Sequence, residues 1–586
     1  MEGLEVTVLL GLTILAGVLL APRVRLALPL VLVILGLLLG FIPALREVQL
    51  PPETVLLLFL PVMLFWESLT TSLRSIRRDF RYILPMSTVL VVASAFAVAG
   101  IGAACGLPWE IALILGAAVA PPDATAVAAL GRLLPQRMFM KLKAESLTND
   151  GTALVLYGVA VSLAIGGQVT PWTVTWTVLV SYVGGIAAGV AIAALGYLLL
   201  RRTASTLVIN VTLLLVPFTA FLLAEIIHAS GVLAVVVAGL IVAYISPRVT
   251  TAASRRQADA VWPFGVFLLN GALFILIGLE VQYVVHELPA AAIGKLVLVS
   301  LAVWGILLAV RFAFQYLYAP FQRFLSGPRP PRGLGTRMRL VSTAAGMRGA
   351  VSLAIALSVP ASIGDAAGIS GRDAIVFITA CVILLSLLVQ GPLLPAIVRW
   401  ARLPADRAAD DEYELAERAI SGASLAAIDD LAAEHGIGQE VRDRVRTEGY
   451  LLLEYANART LAREQALVDA EARELDALLD QPDPLAGTAG QVRVETSATM
   501  SLSTTDAEGG TALQMIATST NVDVLQRSPL VRHEELVRLK LALLDRKREV
   551  LLGLRRAGTV DDLVVRRISS RLDLEQVRLQ GDEELE

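Results

Sequence analysis

Long apolar runs, separated by short breaks of basic residues, Pro and Gly, follow one another from the N-terminus to about residue 400, where the pattern changes. A helix of about 20 apolar residues spans roughly 30 Å of hydrocarbon. Cutting the chain at its charge and Pro/Gly clusters predicts spans near 5–21, 27–44, 53–71, 82–105, 109–131, 142–164, 172–200, 205–228, 231–246, 258–283, 290–317, 338–361 and 373–398, about thirteen in all. After residue 400, apolar positions recur at helical spacing among mixed charges, as in RAISGASLAAIDDLAAEHGI and LVRLKLALLDRKREVLLGLRR. This predicts soluble helices over 405–480 and 527–580. Residues 481–525 between them are rich in Gly, Ser, Thr, Asp and Pro without helical period, so a flexible insert is expected. The expected fold class is an all-α polytopic membrane protein over 1–400, followed by a soluble helical tail domain over 401–586.

Composition agrees. The 586 residues are 56% hydrophobic and 17% charged, and the mean hydropathy of +0.69 exceeds what a soluble domain needs. The net charge of −3 hides an asymmetry: residues 401–586 carry 23 basic against 36 acidic side chains, while residues 1–400 stand at +10. No nucleic-acid partner is expected. The only cysteines, Cys105 and Cys381, lie at or inside apolar runs and cannot build a disulfide framework or a Cys-based metal site. The first run, VTVLLGLTILAGVLLA, follows Glu2 and Glu5 where a cleavable signal would carry basic residues, so it reads as the first span.

Charge also orients the spans. Alternate connections hold nearly all the basic residues, among them Arg74, Arg77, Arg78 and Arg81; Arg132, Arg137, Lys141 and Lys143; and Arg329, Arg332, Arg337 and Arg339. The other connections have little beyond Arg46 and Arg372. Lys and Arg gather on the cytoplasmic side. An odd number of spans then places the N-terminus outside and the tail in the cytoplasm, in a cell membrane.

Depth separates candidate chemistry from background, because an ionisable group deep in a bilayer is costly unless it is paired or lines a cavity. At 1.5 Å per residue, Asp123 in span five lies about 10 Å from the inner edge, as does Asp150 in span six. Arg348 in span twelve comes out near 13 Å, and Glu67 in span three near 10 Å. Four charged groups from four spans thus share one level. Glu225, His228 and Glu280 fall at outer ends and Arg311 near an inner end, where snorkelling suffices.

The run Pro121-Pro122-Asp123 forbids a continuous helix in mid-span, since Pro lacks the donor and clashes with the preceding turn. A break at that depth belongs where it is buried or lines a cavity, and half-helix ends make ion sites. Asp123 is a candidate ligand, an N-cap of the second half-helix, or both. Span six opens AESLTNDGTALVLY, and four-residue spacing stacks Glu145 over Asn149 and Ser146 over Asp150. That face offers the several oxygens, one of them charged, that a partly dehydrated cation wants. Polar helix glue is the alternative for Ser146 and Asn149, but glue needs no charge, so it accounts poorly for Asp150. Gly346 and Gly349 flank Arg348, a fixed positive charge suited to neutralising a carboxylate, with Glu145 or Glu67 as candidate partner. Spans five and twelve are seven apart, as expected if two inverted repeats each contribute one broken helix and the two cross.

These motifs resemble those of NhaP-type sodium/proton antiporters, the superfamily branch that includes the eukaryotic sodium/hydrogen exchangers. The resemblance covers about residues 5–400 and rests on five elements in order: the Pro-Pro-Asp break, ESLTNDGTALVLY, SGVLAVVVAGL from Ser230, FILIGLE ending at Glu280, and MRGAVSLAIAL. It implies a homodimer with a mobile six-helix core and elevator-like alternating access. It also implies electroneutral exchange marked by the pair Asn149-Asp150, and a monovalent cation held by Asp123, Ser146 and Asp150 with backbone oxygen near Pro122. Glu145 and Arg348 are implied to form a structural salt bridge. Many relatives carry Thr-Asp-Pro at the break, whereas here Pro122 precedes Asp123 and Ala124 follows, so the threonine oxygen is missing.

The expected cargo is Na+, with Li+ or K+ as alternatives, against H+, and no cofactor is expected. A membrane enzyme is disfavoured, since no HExxH, paired-Asp protease motif or Ser/His pair lies at membrane depth. A channel would need a continuous wet path instead of an occluded carboxylate. The tail shows no nucleotide-binding fingerprint and is expected to be a dimerisation module or a regulator answering a ligand or partner.

Overall fold

The computed structural model describes residues 2–24, 26–42, 52–124, 127, 134–166, 170–287, 290–325, 335–360, 363, 365–366, 369–403, 408–479 and 529–581. The expected insert at 481–525 lies outside the described residues, as do Arg46, Arg132, Arg329 and Arg332 of the charge pattern. Among the described residues, nine helices are long and apolar enough to cross a membrane. Three shorter apolar helices, Leu28–Leu39, Leu57–Leu69 and Trp109–Val119, and the broken pair Thr336–Ala344 and Ala350–Leu357 lie at the other four expected spans.

The spans fall into two groups. Spans one to three and seven to ten pack chiefly on one another, and so do spans four to six and eleven to thirteen. In the first group, span two (Leu28–Leu39) lies along span ten (Ala252–Glu287) through facing glycines. A Cβ added at Gly36 would sit 2.2 Å from Ile275 O, and one at Gly278 would sit 2.2 Å from Val33 O. Small residues let backbones meet where no hydrophobic effect draws helices together. In the second group Gly116 of span five does the same against Ala95 O, where a Cβ would sit at 2.3 Å.

Several helices extend beyond the bounds that hydropathy suggests, spans six and ten among them, which start at Gln136 and Ala252. Span four starts at Leu73, where Ser72 caps the helix by accepting from Ser75 N, and continues through a joint at Thr88 to Ala104. The arginines of LRSIRRDFR therefore lie on helix, and Asp79 among them pairs with Arg137 and Lys141 of span six, each at 3.3 Å. The helix of span eleven runs from Ala290 to Leu325, while its apolar, membrane-crossing part, Ala292–Tyr318, ends where expected. Span thirteen contains one π-helical stretch, Ser386–Gln390, and a two-residue antiparallel ladder of Asp365–Ala366 with Ile369–Ser370 precedes it.

The chain divides into two compact units, Met1–Asp410 with Gly558–Val577, and Asp411–Ala557 with Arg578–Glu586. The first break lies near the expected boundary at 400, but most of the last helix, Asp562–Gly581, packs with the membrane unit. The second unit has its own small core, in which Ile428, Ala432 and Val445 meet Leu539 and Leu543 of helix Pro529–Arg556.

Candidate functional site: carboxylates at two crossed helix breaks

Span five stops at Val119 and span twelve stops at Ala344, each for want of helix-compatible residues: Pro121-Pro122 in one, Gly346 and Gly349 in the other. The two breaks meet. Asp123 N donates to Met347 O at 2.7 Å, so each unwound strand satisfies a backbone group of the other. A Cβ added at Gly349 would lie 1.8 Å from Asp123 Oδ2, which shows how closely that carboxylate rests on the backbone. Gly349 is also the N-cap residue of helix Ala350–Leu357 and supplies no side-chain cap. The Asp123 carboxylate, 6% exposed, thus sits at the positive end of that half-helix. It faces the other broken helix of the pair; the half-helix that it was expected to cap lies outside the described residues but for Ala124 and Val127.

Arg348 does the complementary task. It is 3% exposed and donates through Nε to Val119 O at 3.0 Å and through Nη2 to Ala120 O at 3.3 Å. Its Nη1 also donates to Gly346 O. A cation therefore covers the negative ends of the first half-helices of spans five and twelve. These contacts correct the expected Glu145–Arg348 pair. Glu145, fully buried, is instead gripped by both terminal nitrogens of Arg311, with Nη2 donating to Oε2 at 3.0 Å and Nη1 to Oε1. Arg311 Nε also donates to Ser342 O at 3.1 Å.

Arg311 is the residue whose role hydropathy missed. It lies near the end of the apolar segment Ala292–Tyr318, as expected, but it is 1% exposed and held by Glu145 instead of snorkelling to the edge.

The remaining candidates come together on span six, Gln136–Ala164. Ser146 Oγ accepts from Ala124 N at 3.0 Å, and Asn149 Nδ2 donates to Pro122 O at 3.0 Å, so both tie the span to the break. Asp150 is 4% exposed and within electrostatic reach of Asp123 and Glu67. Half-buried Glu67 lies within reach of Lys143 as well, whose Nζ donates to Thr70 Oγ1 at 2.6 Å. Three carboxylates from spans three, five and six therefore share one region. The two buried arginines nearby are engaged elsewhere, one by Glu145 and the other by peptide carbonyls. Among the described residues no ion pair is made to Asp150.

The comparisons with known proteins agree with this geometry. The profile of the family "Sodium/hydrogen exchanger, transmembrane" matches residues 10–400. An uncharacterised Na+/H+ exchanger of Mycobacterium tuberculosis is 36% identical over 584 residues, covering 98% of this chain and 96% of the relative. A Na+/H+ antiporter of Aphanothece halophytica is 30% identical, over 66% of this chain and 71% of the relative. Among solved structures, the sodium proton antiporter MjNhaP1 of Methanocaldococcus jannaschii superposes with a TM-score of 0.54 at 20% identity, covering 68% of this chain and 98% of that one. Profile, relatives and fold coincide on the segment that carries the crossed breaks, and the chain belongs to the sodium/hydrogen exchanger family as an NhaP-type cation/proton antiporter.

Proposed function

We propose that this protein exchanges Na+ for H+, one for one, with Asp150 as the group that holds either the proton or the cation. The observation that carries the reading is the environment of Asp150. It is buried beside two other carboxylates, while Arg311 and Arg348 are committed to Glu145 and to backbone carbonyls. A buried carboxylate without a fixed counter-ion must be covered by cargo, and H+ and Na+ are the two covers. Asp123 and Ser146 supply further oxygens, and carbonyls at the break supply the rest. Asn149 is neutral and occupied with Pro122 O, which leaves one exchangeable charge at this level of span six and supports electroneutral exchange.

The two helix groups suit an elevator-like cycle, in which spans four to six and eleven to thirteen carry the site past the others once its charge is covered. A homodimer in the cell membrane, with the basic connections and the tail in the cytoplasm, completes the reading. It involves no enzymatic step and no cofactor. K+ or Li+ as cargo is the second reading. It is favoured by a Bacillus pumilus relative described as a sodium, potassium, lithium and rubidium/H+ antiporter, 28% identical over 63% of this chain and 57% of the relative.

The test is proton flux from proteoliposomes driven by Na+, Li+ or K+ gradients. The wild type is expected to respond to Na+ first, and Asp150→Asn to insert normally and transport nothing. Undiminished cation-driven proton flux in that variant would refute the assignment.

A further inference from the structure

The tail does not stay apart from the membrane unit. After Gly558 the chain lies against the first turn of span four. Arg74 donates from its guanidinium to Gly558 O, and Asp561 Oδ2 accepts from Ser72 Oγ at 3.1 Å and Ser75 Oγ at 3.0 Å. Asp562 Oδ2 accepts from Arg74 N at 3.1 Å. Three turns later the same helix reaches the start of span ten. There Arg255 donates from Nε to Asp573 Oδ2 at 2.7 Å and from Nη2 to Asp573 Oδ1 at 2.6 Å, and Ser570 Oγ donates to Asp259 Oδ2 at 3.2 Å. Asp573 is 2% exposed, and Val564, Val565, Ile568 and Leu572 are buried beside it. A two-pronged, largely desolvated Arg–carboxylate pair is among the stronger polar contacts a protein makes.

The two ends of this helix hold different helix groups. Span four packs with the spans that carry the site, whereas span ten packs chiefly along span two. Between the two ends, Arg566 lies within electrostatic reach of Lys143, two turns below Asp150 on span six and within reach of Glu67. A segment fastened to both groups restrains any motion of one against the other.

We propose that Asp562–Val577 is a strap that ties the site-bearing helices to the scaffold helices and slows transport until it is released. The proposal rests on the antiport and elevator reading above. A restraint acts by favouring one conformation through contacts made only there. Loss of those contacts frees the cycle.

The experiment uses the full-length protein in proteoliposomes, with Asp573→Arg, Arg255→Asp, the two combined, and a chain ending after Ala557. Asp573→Arg and the truncated chain are expected to raise the initial rate of cation-driven proton flux roughly tenfold, the shift that about 1.4 kcal/mol of lost differential contact produces. The combined swap re-forms the pair with reversed charge and is expected to return the rate toward wild type. Arg255 also donates to Thr250 O, so a damaged Arg255→Asp leaves Asp573→Arg and the truncation to decide. Unchanged or lowered rates in both of these, with wild-type flux intact, overturn the strap and spare the antiport reading. No cation-driven flux in the wild type overturns the antiport reading, and with it the strap.

Discussion

The buried Glu145–Arg311 pair can be tested against the alternative that motif resemblance suggested. Side-chain exposures are 2% for Arg311 and 1% for Glu145. At the 3.0 Å separation of Nη2 and Oε2, an effective dielectric of about 20 makes the attraction about 5.5 kcal/mol. Much of that offsets the desolvation of two ions, so the pair adds little net stability. Removing one partner is different, because the other charge stays buried and uncovered. Arg311→Met is expected to cost about 3–5 kcal/mol, and Glu145→Gln a similar amount. The double variant should be much less damaged than the sum of the singles, giving a coupling of at least about 1.5 kcal/mol. Arg348 donates to Val119, Ala120 and Gly346 carbonyls instead. Its coupling to Glu145 is expected to stay within about 0.5 kcal/mol. Reversible unfolding of the single and double variants in mixed micelles measures all four quantities. A Glu145–Arg348 coupling equal to or larger than that of Glu145–Arg311 would refute the geometry described here.

Two further variants probe the crossed breaks. Gly349→Ala places a methyl 1.8 Å from Asp123 Oδ2, so the carboxylate must move; the KM for the cation is expected to rise about tenfold, equivalent to ~1.4 kcal/mol, while detergent extraction and monodispersity stay normal. An unchanged KM would show that Asp123 is not a ligand. Asn149→Asp removes the donor to Pro122 O and aims a carboxylate at a carbonyl, with an expected loss of about 1–3 kcal/mol in the same unfolding assay. A variant as stable as wild type would mean that this hydrogen bond does not hold the break.

Much of the architecture was legible in the chain. Thirteen spans, the break at Pro121-Pro122 and the clustering of Asp123, Ser146, Asn149 and Asp150 follow from hydropathy, from proline's missing donor and from four-residue spacing on one helix. These are local properties, decided by residues near one another in sequence. The partner of Glu145 was not legible. Both Arg311 and Arg348 lie far from it in sequence, and a span count gives depth without azimuth. Only packing shows that Arg311 reaches Glu145 from span eleven while Arg348 turns toward the ends of two half-helices. The role of Asp123 shows the same division. Its proximity to a break is written in Pro122-Asp123, but its place against Gly349 depends on where a helix 226 residues later crosses. Nor does composition indicate that a tail helix with charged and apolar residues at ordinary spacing returns to Ser75 and Arg255. Membership of a span is a matter of solvent, which each segment senses alone; the pairing of buried charges is a matter of tertiary contact, which no segment carries by itself.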